Sequence, residues 1–227
     1  MARPEITTEQ KQVKREAILA AAREVFAEKG FHATGIAEIA ARLDVGHGTI
    51  YRYFQNKLDI FLTLYDAINT DLLRIARGTR PDLATTTDEY VVEMQKFYSE
   101  FGGIFLREIN HLRIFFDEVH ADPEIRRRFE VSQGEFQLAT ERFLNIGREK
   151  GFVRPELHIP STARILNAMI FDAMRAAAAS AESVARTDGI APAGGPAHSH
   201  ATASNNLLLL AMTVMEIFTK GALARAT

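Results

Sequence analysis

The stretch "DVGHGTIYRYFQNK", residues 44–57, admits two incompatible readings. Gly46-x-Gly48 beside a hydroxyl residue outlines a glycine loop that cradles a phosphate, and hence a nucleotide-using enzyme. The same letters fit a tight turn followed by a short helix whose polar side chains face outward. A dinucleotide loop needs a buried strand before it, three glycines, and a helix after it. Here Glu38 to Leu43 follow a helical period, and Tyr51 stands at the third glycine position. The other common phosphate loop needs Gly-Lys-Ser/Thr, where this chain has Gly48-Thr49-Ile50. The phosphate reading fails on its context.

The turn reading fits at each step. Residues 35–43 place Ile36, Ile39, Ala40 and Leu43 on one helical face, with Thr34 available as N-cap. Asp44-Val45-Gly46 is a three-residue turn containing a glycine. Residues 47–54 put Ile50 and Phe54 on a common face and leave His47, Thr49, Tyr51, Arg52 and Tyr53 outside. These are the proportions of a helix-turn-helix over about 35–54. Residues 14–29 supply its packing partner through Ile18, Ala22, Val25 and Phe26, and stop at Gly30. A major groove accepts one helix whose first-turn side chains reach base edges. Hydroxyl, imidazole and phenol groups serve there, while Arg52, Tyr53 and Lys57 suit phosphate oxygens.

Composition bounds the alternatives. A chain of 227 residues with 47% hydrophobic and 25% charged residues is a globular protein of one large or two small domains. Zero cysteines exclude a disulfide framework, a thiolate metal site and a cysteine nucleophile, and suit a reducing cytoplasm, the expected location. The start of the chain has no apolar run of signal-peptide type. The longest apolar run, Leu207 to Met215, is far shorter than a membrane span. Net charge is −2, but it is unevenly spread. The first 60 residues hold 9 Lys/Arg against 8 Asp/Glu, and the remainder 18 against 21. Bulk charge therefore neither requires nor forbids a nucleic-acid partner.

The rest of the chain also reads as helix. One long amphipathic helix covers Leu58 to Arg77 and ends at Gly78 and Pro81. Another runs from Thr87 to Phe101, broken or bent at Gly102-Gly103, and a further one from Ile104 to His120. Asp122-Pro123-Glu124 is a start signal with N-cap, proline at N1 and an acid in the first turn. That helix continues to Gly151. Residues 161–185 form an alanine-rich helix, 188–204 a Gly/Pro/Ala/Ser-rich linker, and 205–223 a last helix. No run alternates with period two, so the fold class is all-α.

Residues 12–72 resemble the DNA-binding domain of the TetR family of transcriptional regulators. The carrying residues are Ile18-Leu19-x-Ala21-Ala22, Phe26-x-x-x-Gly30-Phe31, Thr34-x-x-x-x-Ile39-Ala40, Val45, Gly48-Thr49-Ile50-Tyr51-x-Tyr53-Phe54 and Lys57. The resemblance implies an N-terminal three-helix DNA-binding domain, residues 12–72, followed by a larger helical effector-binding and dimerisation domain, residues 73–227. It implies that Thr34 contacts a phosphate through its hydroxyl or N–H; on sequence grounds a purely capping role stands equally. His47 and Thr49 would lie nearest the bases, Tyr51 would touch a base or thymine methyl, Arg52 and Tyr53 would grip the backbone, and Lys57 would hold a flanking phosphate. Many members carry Ser or Thr where Gly46 stands, and Lys or Arg where His47 stands. Contacts at His47 are therefore expected to be weaker or pH-sensitive.

In the second domain, apolar stripes at helical spacing are chiefly core. The resemblance implies a cavity among these helices for an unknown small effector, for which the expected lining is Phe97, Phe101, Phe105, His111, Arg113, Phe116, Asn167 and Phe171; Asp172 is a further polar candidate. Dimer contacts are expected from Ala173, Ala176 and Ala177 on one helix and from Leu207, Ala211, Val214, Met215 and Phe218 on the other. Glu118-x-His120-x-Asp122 does not converge on a helix, and no metal or other cofactor is expected. The resulting reading is a homodimeric regulator, a repressor that a small molecule releases from double-stranded operator DNA. The alternatives are an activator with the same first domain, or a helical-bundle enzyme or carrier. No nucleophile, base and orienter trio is visible for the latter.

Overall fold

The computed structural model describes residues 7–187 together with 213, 216 and 219–223. Among the described residues the helices, in chain order, are α1 (Thr8–Ala33), α2 (Ile36–Arg42), α3 (His47–Ile50), α4 (Lys57–Gly78), α5 (Thr87–Arg107), α6 (Ile109–Glu118), α7 (Pro123–Glu149) and α8 (Ile159–Thr187). Among the described residues there is no strand beyond one isolated antiparallel bridge, Val153 to Leu223. The fold is all-α, an N-terminal helix-turn-helix domain followed by a helical domain. Two compact units divide the chain, Met1–Ala67 and Ile68–Thr227, and the division falls within α4.

The first unit is built on a buried face of α1 made of Ile18, Ala21, Ala22, Val25 and Phe26. Thr7 opens this helix with a capping box: its hydroxyl accepts from the Gln10 N–H, and the Gln10 side chain accepts from the Thr7 N–H. Gly30 adopts φ 79°, ψ 174°, so the regular helix gives way there and Phe31 turns back into the core. Phe26, Phe31 and Phe61 form a three-ring cluster with centroids 4.8–5.9 Å apart. Ile39, Ala40, Ile50 and Phe54 close the same core from α2 and from the segment around α3.

The second unit differs from the sequence expectation at one helix boundary. Gly102 and Gly103 neither break nor bend the chain into two helices; α5 runs through them to Arg107. The break comes at Glu108, with φ −102° and ψ 8°, and α6 starts at Ile109 rather than Ile104. Two exposed or half-buried glycines cost a helix about 1 kcal/mol each. Burial of Phe101, Ile104 and Phe105 on the same helix outweighs that. At α7 the start signal acts as its letters suggest: the Asp122 carboxylate accepts from the N–H groups of Glu124 and Ile125, ahead of Pro123. The expected helix 205–223 and the linker 188–204 lie almost entirely outside the described residues.

Tyr90 anchors this unit. It is fully buried, donates its hydroxyl to the Phe143 carbonyl at 3.0 Å, and packs on the rings of Phe143 and Phe152. Burial pushes its phenol above the usual range, so it acts as a neutral donor. The ring lies on Gly147 so closely that an added Cβ would sit 2.8 Å from Tyr90 Cε2 and nearer still to its hydroxyl. Gly147→Ala is therefore expected to destabilise the second unit by about 1–3 kcal/mol through overpacking. A denaturant titration checks this, and an unaltered midpoint would show that the Tyr90 contact is not tight.

Candidate nucleic-acid interface

The short helix α3 is positioned by the turn before it. Val45 donates its N–H to the Ala40 carbonyl at 3.0 Å, and Asp44 donates to Ala41 at 3.1 Å. Those two bonds, with Asp44 at φ 51°, constitute a Schellman motif closing α2. The left-handed residue in the turn is Asp44. Gly46 sits in extended conformation (φ −72°, ψ 149°) as the N-cap of α3 and supplies no side-chain cap. The helix itself is shorter than the expected 47–54. It ends at Ile50, and hydrogen-bonded turns carry the chain to Phe54, with Tyr53 and Phe54 both donating to the Ile50 carbonyl.

Burial sorts this segment into two faces. Ile50 and Phe54 point into the core, whereas His47, Gly48, Tyr51 and Arg52 are exposed and Thr49 and Tyr53 are half-buried. Tyr51 is 57% exposed, a large aromatic left in water on the surface of a small unit. Leu43 and Ile36, expected as core, are only half-buried.

Two expected phosphate ligands are placed differently from the rest. Thr34 is buried, and its hydroxyl donates to the Gly30 carbonyl at 2.7 Å. It ends α1 rather than starting α2, whose N-cap is Gly35. The expectation of Thr34 as N-cap of the second helix is thereby corrected, and its hydroxyl is already engaged inside the protein. Lys57 donates from Nζ to the Phe31 carbonyl at 2.6 Å and to that of His32 at 3.3 Å, and lies 4.4 Å above the Phe31 ring. Its ammonium neutralises the carbonyl end of α1, where a cation is favoured.

Sequence reasoning missed Arg15. From α1 its guanidinium stacks 4.1 Å over the Phe54 ring and donates from Nη1 to the Tyr53 carbonyl at 2.8 Å. It also reaches the Thr63 hydroxyl at 3.4 Å. One side chain thus pins the end of the recognition segment to two other helices. Nothing in the spacing of Arg15 relative to residues 53 and 63 announces this long-range contact. Ion pairs fix α2 on α1 in a similar way. Arg42 bridges Glu24 and Glu28 at 2.8 and 2.6 Å, and Lys29 pairs with Glu38, whose other carboxylate oxygen accepts from the Gly35 N–H. Hydrogen bonds from Arg42 and Lys29 hold the Glu28 and Glu38 carboxyls below their ordinary range.

The second unit holds an apolar cavity of about 60 Å³. Of the residues expected to line it, Phe97, Phe101, Asn167 and Phe171 do so. Phe105 is instead buried core, and Phe116 packs against Phe115 and Phe129. His111 is buried on α6, and Arg113 pairs with Asp117 at 3.5 Å; neither lines the cavity. Asp172 is exposed and pairs with Arg175. The walls missed by sequence reasoning include Phe136, Thr140 and Ile170. Of the expected dimer residues, Ala176 is exposed, Ala173 half-buried, and Ala177 buried within the single chain. Leu207, Ala211, Val214, Met215 and Phe218 lie outside the described residues.

A short helix behind a Schellman turn, backed by two helices and presenting an exposed polar and aromatic face, defines a helix-turn-helix module. Residues 18–64 match the family model of the bacterial regulatory proteins of the tetR family. It is 33% identical over 94 residues to the fatty acid metabolism regulator protein of Bacillus subtilis, covering 41% of this chain and 48% of the relative. It is 37% identical over 119 residues to the HTH-type transcriptional activator FasR of Mycolicibacterium smegmatis, covering 52% of this chain and 53% of the relative. The chain thus spans about half the length of these curated relatives. Among solved structures, SmeT, the repressor of the Stenotrophomonas maltophilia multidrug efflux pump SmeDEF, superposes with a TM-score of 0.67 at 19% identity. That match covers 95% of this chain and 93% of SmeT and shows a shared fold. No helix among the described residues is long and apolar enough to cross a membrane.

Arg15→Met retains the apolar stem but loses the charged donor. It is expected to lower stability by about 1–3 kcal/mol, the range for a hydrogen bond to a charged group. Thermal melts of the full chain check this, and an unchanged melt would show that the Arg15 clamp does not hold the segment.

Proposed function

We propose that the chain is a homodimeric transcriptional regulator that binds double-stranded operator DNA through residues 47–53 and is controlled by a small-molecule effector. The observation that carries this is the exposed face of His47, Gly48, Tyr51 and Arg52 on an otherwise well-packed unit. Its imidazole, phenol and guanidinium groups can meet base edges and phosphates, and a major groove admits a single short helix. In this reading His47, Thr49 and Tyr51 meet base edges, and Arg52 and Tyr53 meet phosphates. Lys57 acts mainly by fixing the end of α1. Thr34 contributes to DNA contact through its backbone alone.

Dimerisation is proposed through the outer face of α8. Ile165, Ala168, Ala176 and Ala179 are exposed there in the single chain, and small residues allow close helix approach. A twofold pair supplies two sets of contacts one helical turn or a multiple apart, which offsets the low net charge. FasR is an activator and SmeT a repressor, and we propose that this chain represses.

Control follows from linkage. An effector lowers operator affinity only if it binds the DNA-incompetent arrangement more tightly. The continuous helix α4 carries Lys57 at its start and Ala76, a cavity residue, near its end. It is the element we propose to convey the bias.

Gly48 gives a clean test, because an added Cβ there meets nothing within 4 Å and glycine is a poor helix former. Gly48→Glu is expected to keep the thermal melt while weakening binding to the duplex upstream of its own gene by on the order of hundredfold. Fluorescence anisotropy reads the affinity. Unaltered affinity in a folded variant would remove α3 from the interface.

A further inference from the structure

We infer that the cavity of the second unit selects an uncharged, compact apolar ligand that carries a hydrogen-bond acceptor, and that Asn167 Nδ2 is the donor it meets. The inference rests on the effector reading above and names the chemistry of that ligand. Its starting point is the cavity wall. Phe97, Phe101, Phe136, Phe143 and Phe171 dominate it, and among the described residues no Asp, Glu, Lys, Arg or His takes part. Consecutive ring centroids along Phe97, Phe101, Phe136 and Phe171 are 5.3, 6.0 and 5.8 Å apart, a continuous aromatic surface. A charged ligand placed there would lose its hydration with no counter-charge in return.

Four side chains bring polar groups to the wall, Thr79, Tyr98, Thr140 and Asn167, and two of them are already used within the protein. Thr79 donates its hydroxyl to the Ala76 carbonyl at 3.0 Å. Thr140 donates its hydroxyl to Asn167 Oδ1 at 2.9 Å, which fixes the amide with its nitrogen turned away from Thr140. Asn167 is 7% exposed, and its Nδ2 has no hydrogen-bond partner. A buried amide donor without an acceptor is a standing cost to the protein. A ligand acceptor seated against it removes that cost, whereas a ligand without one leaves it in place.

The neighbouring opening does not select charge either. Thr79 and Phe97 also line a wider, open recess of about 300 Å³. Its charged residues are balanced: Arg74 and Lys96 against Glu93 and Glu100, with Lys96 paired to Glu93 at 2.6 Å. Phe97 lines both spaces and stands between the aromatic cavity and the charged recess.

The test uses two near-isosteric probes, acetophenone with a carbonyl acceptor and α-methylstyrene without one. Binding to the full-length protein is measured by calorimetry in the absence of DNA. The preference for acetophenone, expressed as the ratio of the two dissociation constants, is expected to fall roughly tenfold in Asn167→Leu. Thr140→Val provides an independent arm, because it frees Oδ1 to accept while keeping Nδ2. Phenol, a donor ligand, is expected to bind several-fold more tightly to Thr140→Val than to the wild type, with acetophenone binding retained. An unchanged ratio in folded Asn167→Leu, or unchanged phenol binding in Thr140→Val, would overturn the assignment. So would failure of both neutral probes to bind at millimolar concentration. None of these results bears on DNA binding, which the Gly48 variant reads separately.

Discussion

A helix of four residues has no stability of its own, since nucleation costs more than one turn of hydrogen bonds returns. The functional surface proposed here depends on that constraint, because α3 exists only where other groups hold it. Its entrance is fixed by the Val45 N–H on the Ala40 carbonyl and by Asp44 in left-handed conformation. Its inner face is fixed by burial of Ile50 and Phe54, and its exit by the Arg15 guanidinium on the Tyr53 carbonyl. With the backbone held from three sides, the outer residues are released from structural duty. His47, Gly48, Tyr51 and Arg52 can therefore vary in chemistry without cost to the fold. That separation of duties is what a DNA-reading surface requires.

The second unit solves a different problem with the same means. Its aromatic side chains both fill a core and border a space. Tyr90 on Gly147 represents the first use, a contact so close that one methyl group disturbs it. Phe97, Phe101, Phe136 and Phe171 represent the second, rings that pack edge-to-face or tilted and leave a cavity beside them. Asn167 marks the boundary between the two uses, with one half of its amide satisfied by Thr140 and the other half not.

Much of the fold was legible because local signals were strong. The apolar period of α1, the glycine stop at Gly30 and the Asp122-Pro123 start each act through neighbours in sequence. The misreadings arose where packing or backbone geometry overrides residue type. Gly102-Gly103 looked like a break, yet burial of the residues around it carries the helix through. The left-handed residue of the turn carried no signal of its own: it is Asp44, and aspartate tolerates that conformation better than most residues. At the sites, long-range placement was the hidden variable. A polar residue on an apolar helix face signalled Asn167, which lines the cavity, but equally His111 and Arg113, which do not. Arg15 gave no signal at all, because its partners lie 38 and 48 residues away.

The central claim is that residues 47–53 form the surface that meets duplex DNA. Amide chemical-shift changes in the nitrogen-labelled full-length protein, on titration with the duplex upstream of its own gene, test it most directly. The account predicts that the largest changes fall on Gly48, Thr49, Tyr51 and Arg52, with smaller ones at the start of α2 and none concentrated on α5 to α8. Changes that leave residues 47–53 untouched while shifting another surface would contradict it.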